Sequence, residues 1–427
     1  RCMSLLGAGP AFQDQRVHSM KRMKELALRP DCPERERAYA DALAVLLMDG
    51  PVKAREAWKT ICSTWKRDPY APLFYAMLLR DGFDGQGNPG EGQKEAVRVV
   101  EDVLKERPGF QAALFMRALL EEVAPSISPA TVETRRAVSA NPFSASALHL
   151  LGHCLFRTGD YEGASAAFKE SENLCLAWEK AENVSPALDD AYFRSILYRA
   201  VSEFCAGRYK RAEAIASRAA SVPLDKKHPL APGTLLQLWE ARTLPARLML
   251  ARPGLPRQAL VLKAFPGPLP KGFPDLSNGM TAVVSQYMGA CYAARQGRTD
   301  AVASAFDKMS GILRLLMDGA DAARRQMSVS YWARCLQTGS LYSSEIRSLM
   351  FPDSANVWMS EAIRSQRFSS LLLPPVVPYP AEWVLARAYL KAGKFRECAD
   401  MCEQALKRFP NHAGVLETLD KARSSGK

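Results

Sequence analysis

Prolines recur at nearly regular intervals along the first part of the chain, each after a polar or charged residue. The pairs are Arg29-Pro30, Asp68-Pro69, Arg107-Pro108 and Asn141-Pro142, so successive prolines lie 39, 39 and 34 residues apart. A residue before proline is pushed out of helical geometry, so each pair predicts the end of one helical unit and the start of the next. Periods of about 20 to 50 residues are typical of repeat arrays, and this feature constrains the fold more than any other.

Two stretches of helical periodicity fit between successive prolines. In the first unit Ala42 and Leu46 fall on one helix face, and Gly50-Pro51 then interrupts the pattern before a second helix. The next unit repeats this plan with a glycine-rich connection at 85–90. That connection lacks the preceding strand and the Gly-Lys-Ser/Thr ending of a phosphate-binding loop, so we interpret it as an ordinary loop.

A second signature is a glycine followed, two residues later, by an aromatic residue, with a small residue three positions further on. It occurs as Gly159-Asp160-Tyr161, Gly207-Arg208-Tyr209 and Gly393-Lys394-Phe395, and in weaker form as Gly297-Arg298-Thr299. The small residues that follow are Ala164, Ala212, Cys398 and Val302. A recurring turn of this kind predicts repeated helix–turn–helix units.

The unit at 143–176 resembles the tetratricopeptide-repeat family. The residues that carry the resemblance are Leu148, Leu151, Gly152, Leu155, Tyr161, Ala164 and Phe168. The resemblance implies an all-α fold, a right-handed α-solenoid of stacked antiparallel helix pairs. The turn signatures are never one family period of about 34 residues apart, so insertions or degenerate units are expected between them.

The sequence predicts four regions. Residues 1–30 form an N-terminal segment and first helix, and 31–222 form repeats. Residues 223–278 contain ten prolines and are predicted to be an irregular connector with one helix, kinked at Pro245. Residues 279–427 are predicted to form further repeats with a C-terminal capping helix.

Lysine and arginine (57) exceed aspartate and glutamate (45), which gives a net charge of +12. Basic residues are mixed with acidic ones along the chain, which favours solvated helix faces over a nucleic-acid surface. No window has the run of about 18 apolar residues that a membrane-spanning helix needs. A protein or peptide partner, acidic in character, is therefore expected, while nucleic acid and a membrane span are not; the oligomeric state is left open.

The ten cysteines are spread out, without the spacing of a disulfide scaffold, which favours a reducing compartment such as the cytoplasm. The alternative is that Cys2 to Ala11 is the end of an export signal. Cys398 and Cys402 lie four residues apart at positions expected to be buried in a repeat core. We expect no metal site, no cofactor and no catalytic residues, because no nucleophile elbow, dinucleotide fingerprint or phosphate-binding motif is present.

The resemblance implies that the first helix of each pair lines a concave surface. In the family, the positions one residue after the bulky and glycine signature residues face this surface. Here they are Phe115, Leu119, His149, His153, Leu197, Val201, Trp383 and Arg387, and Arg157 lies one turn beyond His153. The spacing of His149 and His153 also suits two zinc ligands, but nothing nearby in the sequence completes a site. We interpret the set as a groove for a protein segment. Alternatives left open are a regulatory or catalytic site within 223–278 and a basic nucleic-acid-binding solenoid.

Overall fold

The computed structural model describes residues 13–84, 86–122, 124–319, 329–366 and 373–426. Within these ranges the regular secondary structure is helical, and the only β pairing is an isolated bridge between Phe83 and Pro89. The predicted fold class, an all-α solenoid of stacked antiparallel helix pairs, is confirmed. The possible export-signal remnant at 2–11 lies outside the described residues.

The α-helices are named in chain order. They are α1 (Gln13–Ala27), α2 (Glu34–Met48), α3 (Pro51–Thr64), α4 (Ala71–Leu79), α5 (Glu91–Glu106), α6 (Gln111–Glu121), α7 (Ser128–Ala140), α8 (Ala145–Arg157), α9 (Tyr161–Glu182), α10 (Asp190–Cys205), α11 (Tyr209–Ala220), α12 (Pro232–Leu236), α13 (Arg242–Ala251), α14 (Gln258–Lys263), α15 (Asp275–Arg295), α16 (Thr299–Asp318), α17 (Val329–Met350), α18 (Ala355–Gln366), α19 (Ala381–Lys391), α20 (Phe395–Arg408) and α21 (Ala413–Ser425). A π-helical turn, Gln237–Ala241, joins α12 to α13.

The chain divides into two compact units, Arg1–Cys154 and Leu155–Lys427, and the boundary falls inside α8. The proline-rich segment 223–278, predicted to be a connector between stacks, lies inside the second unit. The segment is part of the core of this unit, because nearly all side chains of α12, the π turn and α13 are buried.

In the first unit each helix packs on its neighbours in sequence, from α2 to α7. Small residues let the backbones approach, since Ala54, Ala96 and Ala113 have no exposed surface. Between them Trp58 is fully buried and stacks on Phe74 with ring centroids 4.5 Å apart. Small and large side chains thus alternate in the core of the array.

The proline pairs lie between helix pairs, as the sequence predicted. Helices α1, α3, α5 and α7 each end a few residues before one of the four prolines. In three of these loops a backbone hydrogen bond spans a four-residue turn with proline second: Cys32 N to Arg29 O, Phe110 N to Arg107 O and Ser144 N to Asn141 O, at 3.0, 3.0 and 3.3 Å. Proline suits this position because its φ is already set for such a turn.

In the second unit the four glycine signatures form four copies of one turn. Gly159, Gly207, Gly297 and Gly393 all have positive φ, between 69° and 78°. In each copy the next residue's N–H donates to the carbonyl five residues before it, at 2.9–3.0 Å. These are Schellman-type helix ends, for which glycine is favoured because side chains disfavour positive φ. The small residues after each turn are buried, as expected from the sequence.

A π turn, Gln237–Ala241, lies just before Pro245, which is inside α13. Proline has no N–H and its ring crowds the preceding turn, which leaves carbonyls there without their usual donors. Two side chains supply donors: Thr243 Oγ1 donates to Trp239 O at 2.6 Å, and Arg247 Nη2 donates to Glu240 O at 2.7 Å. This is how a proline-containing helix can be buried with its backbone satisfied.

The connection between α20 and α21, at the end of the second unit, packs against the beginning of the same unit. We call this set of contacts the closing contact: Phe156, Gly159, Phe204 and Gly207 on one side, and Phe409, Pro410, His412 and Ala413 on the other. The Phe156 and Phe409 rings lie 6.2 Å apart, and those of Phe204 and His412 lie 6.1 Å apart. A Cβ on Gly159 would overlap the carbonyl oxygen of Pro410, so the backbones touch there. Residues some 250 positions apart are thus neighbours.

Candidate functional site

The nine predicted groove residues fall in both units and differ in burial. In the first unit Phe115, Leu119 and His149 are half-buried, while His153 is 1% exposed. In the second unit Arg157 and Arg387 are half-buried, whereas Leu197, Val201 and Trp383 are at most 1% exposed. The four buried side chains pack in the interior and do not present an open surface.

Trp383 and Arg387, one turn apart on α19, form the best-defined pair among these residues. The Arg387 guanidinium carbon lies 4.4 Å from the Trp383 ring centroid, a cation–π contact. The Trp383 indole is held from behind, because its Nε1 donates to Thr418 Oγ1 at 2.8 Å. A Cβ on Gly414 would lie 2.5 Å from the ring, so only glycine permits α21 to approach so closely.

Arg387 has no ion pair in the part of the chain that the structure describes, although its charge acts on the buried Glu345. Glu382, on the same helix, is engaged with Arg408 at 3.3 Å, and no other carboxylate of the described residues lies at ion-pair distance from Arg387. Arg387 nevertheless influences buried groups around it. Burial lowers the pKa of His412 to about 4, and the nearby positive charge of Arg387 contributes to that lowering, so His412 is neutral at pH 7.

Residues that sequence reasoning missed line a cavity of about 610 Å³ in the second unit. They are Gly207, Arg208, Tyr209, Lys210, Arg211, Arg252, Pro253 and Gly254. The basic run at 208–211 was visible in the sequence as part of a turn signature. The sequence does not show that Arg252 lies near this run, because that depends on how α11 packs on α13.

The cysteine and histidine pairs show no metal or redox arrangement in the part of the chain that the structure describes. No group of three or more His, Cys, Asp or Glu side chains is placed to hold a metal ion there. Cys398 and Cys402 are fully buried. Burial raises the pKa of the Cys402 thiol to about 12, so the reactive thiolate is disfavoured.

The model of the tetratricopeptide-repeat family matches residues 145–175, which span α8 and the first part of α9. The chain contains a tetratricopeptide-like repeat at this position. The match supports a general role as a protein-interaction scaffold, and folds of this type are generally non-catalytic. None of the described helices is both long and apolar enough to cross a bilayer.

Among solved structures, a human IFIT1 dimer with m7Gppp-AAAA is similar to the chain at 14% identity, with a TM-score of 0.38. The match covers 97% of this chain and 86% of that one. The structure of Naa15/Naa10 bound to HypK-THB is similar at 13% identity with a TM-score of 0.34, and covers 92% of this chain and 64% of that one. The P58(IPK) TPR domain matches at 16% identity over 78% of this chain and 94% of its own, with a TM-score of 0.24. These scores are too low to carry a functional conclusion. A comparison with curated proteins finds no match.

Proposed function

We propose that the chain is a scaffold that binds an acidic segment of a partner protein, with Arg387 on the face of Trp383 as an anchor. The observation that carries the proposal is a half-buried guanidinium stacked at 4.4 Å on a fixed indole, with no carboxylate of the described residues at ion-pair distance. Arginine in such a setting pairs well with a carboxylate from another chain, since the stacked plane keeps its N–H fork oriented.

The remaining half-buried groove residues extend the proposal within each unit separately. Arg157 adds a cation in the second unit, and Phe115, Leu119 and His149 offer apolar and polar contact in the first. Arginine and aromatic side chains are enriched among residues that dominate binding energy at protein interfaces. The four buried residues act in this proposal as support for the surface, because they are not available to a partner.

The test is affinity capture from the native source with the full chain and with Arg387→Glu. We expect partner recovery to fall about tenfold or more, because truncating or reversing one central charge at an interface costs about 2 kcal/mol. Lys391→Glu is the matched control, since Lys391 lies four residues away on the same helix and is exposed. Circular dichroism and thermal melting should show that both variants fold like the wild type.

Equal recovery of partners by Arg387→Glu and the wild type would overturn the proposal. Arg387→Lys separates charge from geometry, because lysine keeps the charge but loses the planar fork. We expect this variant to bind partners with intermediate affinity.

A further inference from the structure

The cavity lined by 207–211 and 252–254 brings four basic side chains together from two turns. Arg208, Lys210 and Arg211 lie at the turn from α10 into α11, and Arg252 follows the end of α13. Gly207 and Gly254 both have positive φ, and no side chain projects from either position. The two turns therefore leave open space between the basic groups.

Carboxylates beneath the cavity fix the arginines in place. Glu203 is fully buried and accepts from Arg208 Nε, while Arg211 Nε lies 3.2 Å from its other oxygen. Glu213 accepts from Arg252 Nη1 at 3.0 Å. Each arginine is thus held by part of its guanidinium group, and the other N–H donors remain for a ligand, since arginine has five.

The cavity is lined by four basic side chains, and three carboxylates contact them. Glu203 and Glu213 bind the three arginines, and the largely exposed Glu162 lies 3.7 Å from Arg208. Lys210 is exposed and has no hydrogen bond or ion pair among the described residues. A positive, concave surface with pre-oriented guanidinium groups is complementary to carboxylates.

The composition of the cavity favours a peptide over a nucleic acid. Binding to single-stranded nucleic acid combines a long basic groove with exposed aromatic faces for base stacking. Here the aromatic residue is Tyr209, which is half-buried and packs against Phe204 with ring centroids 5.1 Å apart. The basic groups are confined to two turns, and partly compensated, so they suit a short run of acidic side chains.

We propose that this cavity is a binding site for a short run of glutamate or aspartate residues in a protein segment. The inference rests on the proposed function only in taking the occupant to be protein. It assigns a site at the start of α11 and after α13, lined by residues other than Trp383 and Arg387.

The test is fluorescence anisotropy with the full chain and a fluorescein-labelled octaglutamate peptide. Lys210→Glu should weaken binding about fivefold to tenfold, and raising the salt from about 50 to about 200 mM should weaken wild-type binding in the same direction. Lys210 has no polar contact with the described residues, so this variant is expected to fold normally. Arg211→Gln is a second variant that removes a charge and keeps hydrogen-bonding capacity.

Lys169→Glu on α9 is the control, since it makes the same charge change at an exposed lysine of the same unit. Unchanged peptide affinity in both Lys210→Glu and Arg211→Gln would overturn the inference. Tighter binding of a labelled octauridylate, lost in the same variants, would also overturn it by assigning the cavity to nucleic acid. If peptide binding does not depend on Lys210 and Arg211 while partner capture still depends on Arg387, only this inference is wrong. If peptide binding depends on Lys210 and Arg211 while partner capture does not depend on Arg387, only the proposed function is wrong.

Discussion

Glu240, Glu345 and Glu179, three of the buried carboxylates in the second unit, have three different environments. Glu240 forms a two-point ion pair with the buried Arg334, at 2.7 and 2.6 Å. Glu345 accepts from the Tyr379 hydroxyl at 2.8 Å and also from Tyr287, and burial raises its pKa. Glu179, at 3% exposure, accepts no hydrogen bond from the described residues. The charged form of Glu179 is therefore not stabilised by a hydrogen bond.

The pKa of Glu179 should make the stability of the protein depend on pH. Burial, and then the charge of Asp189, raise this pKa from 4.5 to about 7. Asp189 accepts from Ala191 N at 2.9 Å, which holds its carboxyl group near Glu179. The folded state therefore binds more protons than the unfolded state between pH 4.5 and about 7, so the free energy of unfolding falls as pH rises through that window.

We predict that Glu179→Gln raises the free energy of unfolding at pH 8 by on the order of 1 kcal/mol, since it removes a buried charge. At pH 4.5 the gain should vanish, because the wild-type carboxyl is then protonated. Urea denaturation at both pH values measures this, with Glu182→Gln, at the exposed end of the same helix, as the control. An equal effect at both pH values would contradict the assignment.

At the scale of the helix pair, the four glycine turns share a backbone conformation but differ in their surroundings. Gly159 meets the backbone of Pro410, whereas a Cβ added at Gly297 would have no neighbouring atom within 4 Å among the described residues. The two positions therefore separate two effects of adding a side chain, which are strain at positive φ and direct collision.

We predict that Gly297→Ala lowers the free energy of unfolding by about 1 to 2 kcal/mol, the strain of a left-handed conformation. Gly159→Ala should lower it by clearly more, because its Cβ would also collide with the carbonyl oxygen of Pro410. Thermal or urea unfolding of the two variants tests this. Equal losses would mean that the closing contact is looser than described.

These elements also show what a sequence can predict. The four turns can be predicted from the sequence, because a helix end with positive φ favours glycine and depends only on local residues. The loops at the prolines follow for a similar local reason. The burial of His153, Leu197 and Trp383 does not, since the family offset that assigns them to a groove says nothing about which other helix covers them. Arg252 joins the basic cavity only through packing between α11 and α13.

At the scale of the molecule, the second unit depends on the closing contact. Phe156 has edge-to-face contacts with Tyr161, Tyr198 and Phe409, so one ring connects the family-matched pair to the C-terminal pair. His412 is buried beside Phe204, Trp383 and Phe409, and its neutral imidazole suits that apolar setting. Stability in this unit therefore includes contacts of long sequence separation.

We predict that Phe409→Ala lowers the free energy of unfolding by about 3 kcal/mol, as for other buried phenylalanines. Hydrogen exchange should speed up at 156–170 as well as at 395–425, because the removed ring contacts both regions. Leu416→Ala, at a partly exposed position on α21, is the control. Faster exchange confined to 395–425 would show that the closing contact contributes little.

The closing contact also fixes how many helix pairs the second unit can hold. An open array gains or loses a pair at its end with little effect on the others, because each pair contacts only its neighbours. Here one more pair inserted before α19 would displace Phe409 and Pro410 by about 10 Å, one helix spacing, from Phe156 and Gly159. A duplicated pair within this unit would therefore separate the two sides of the closing contact.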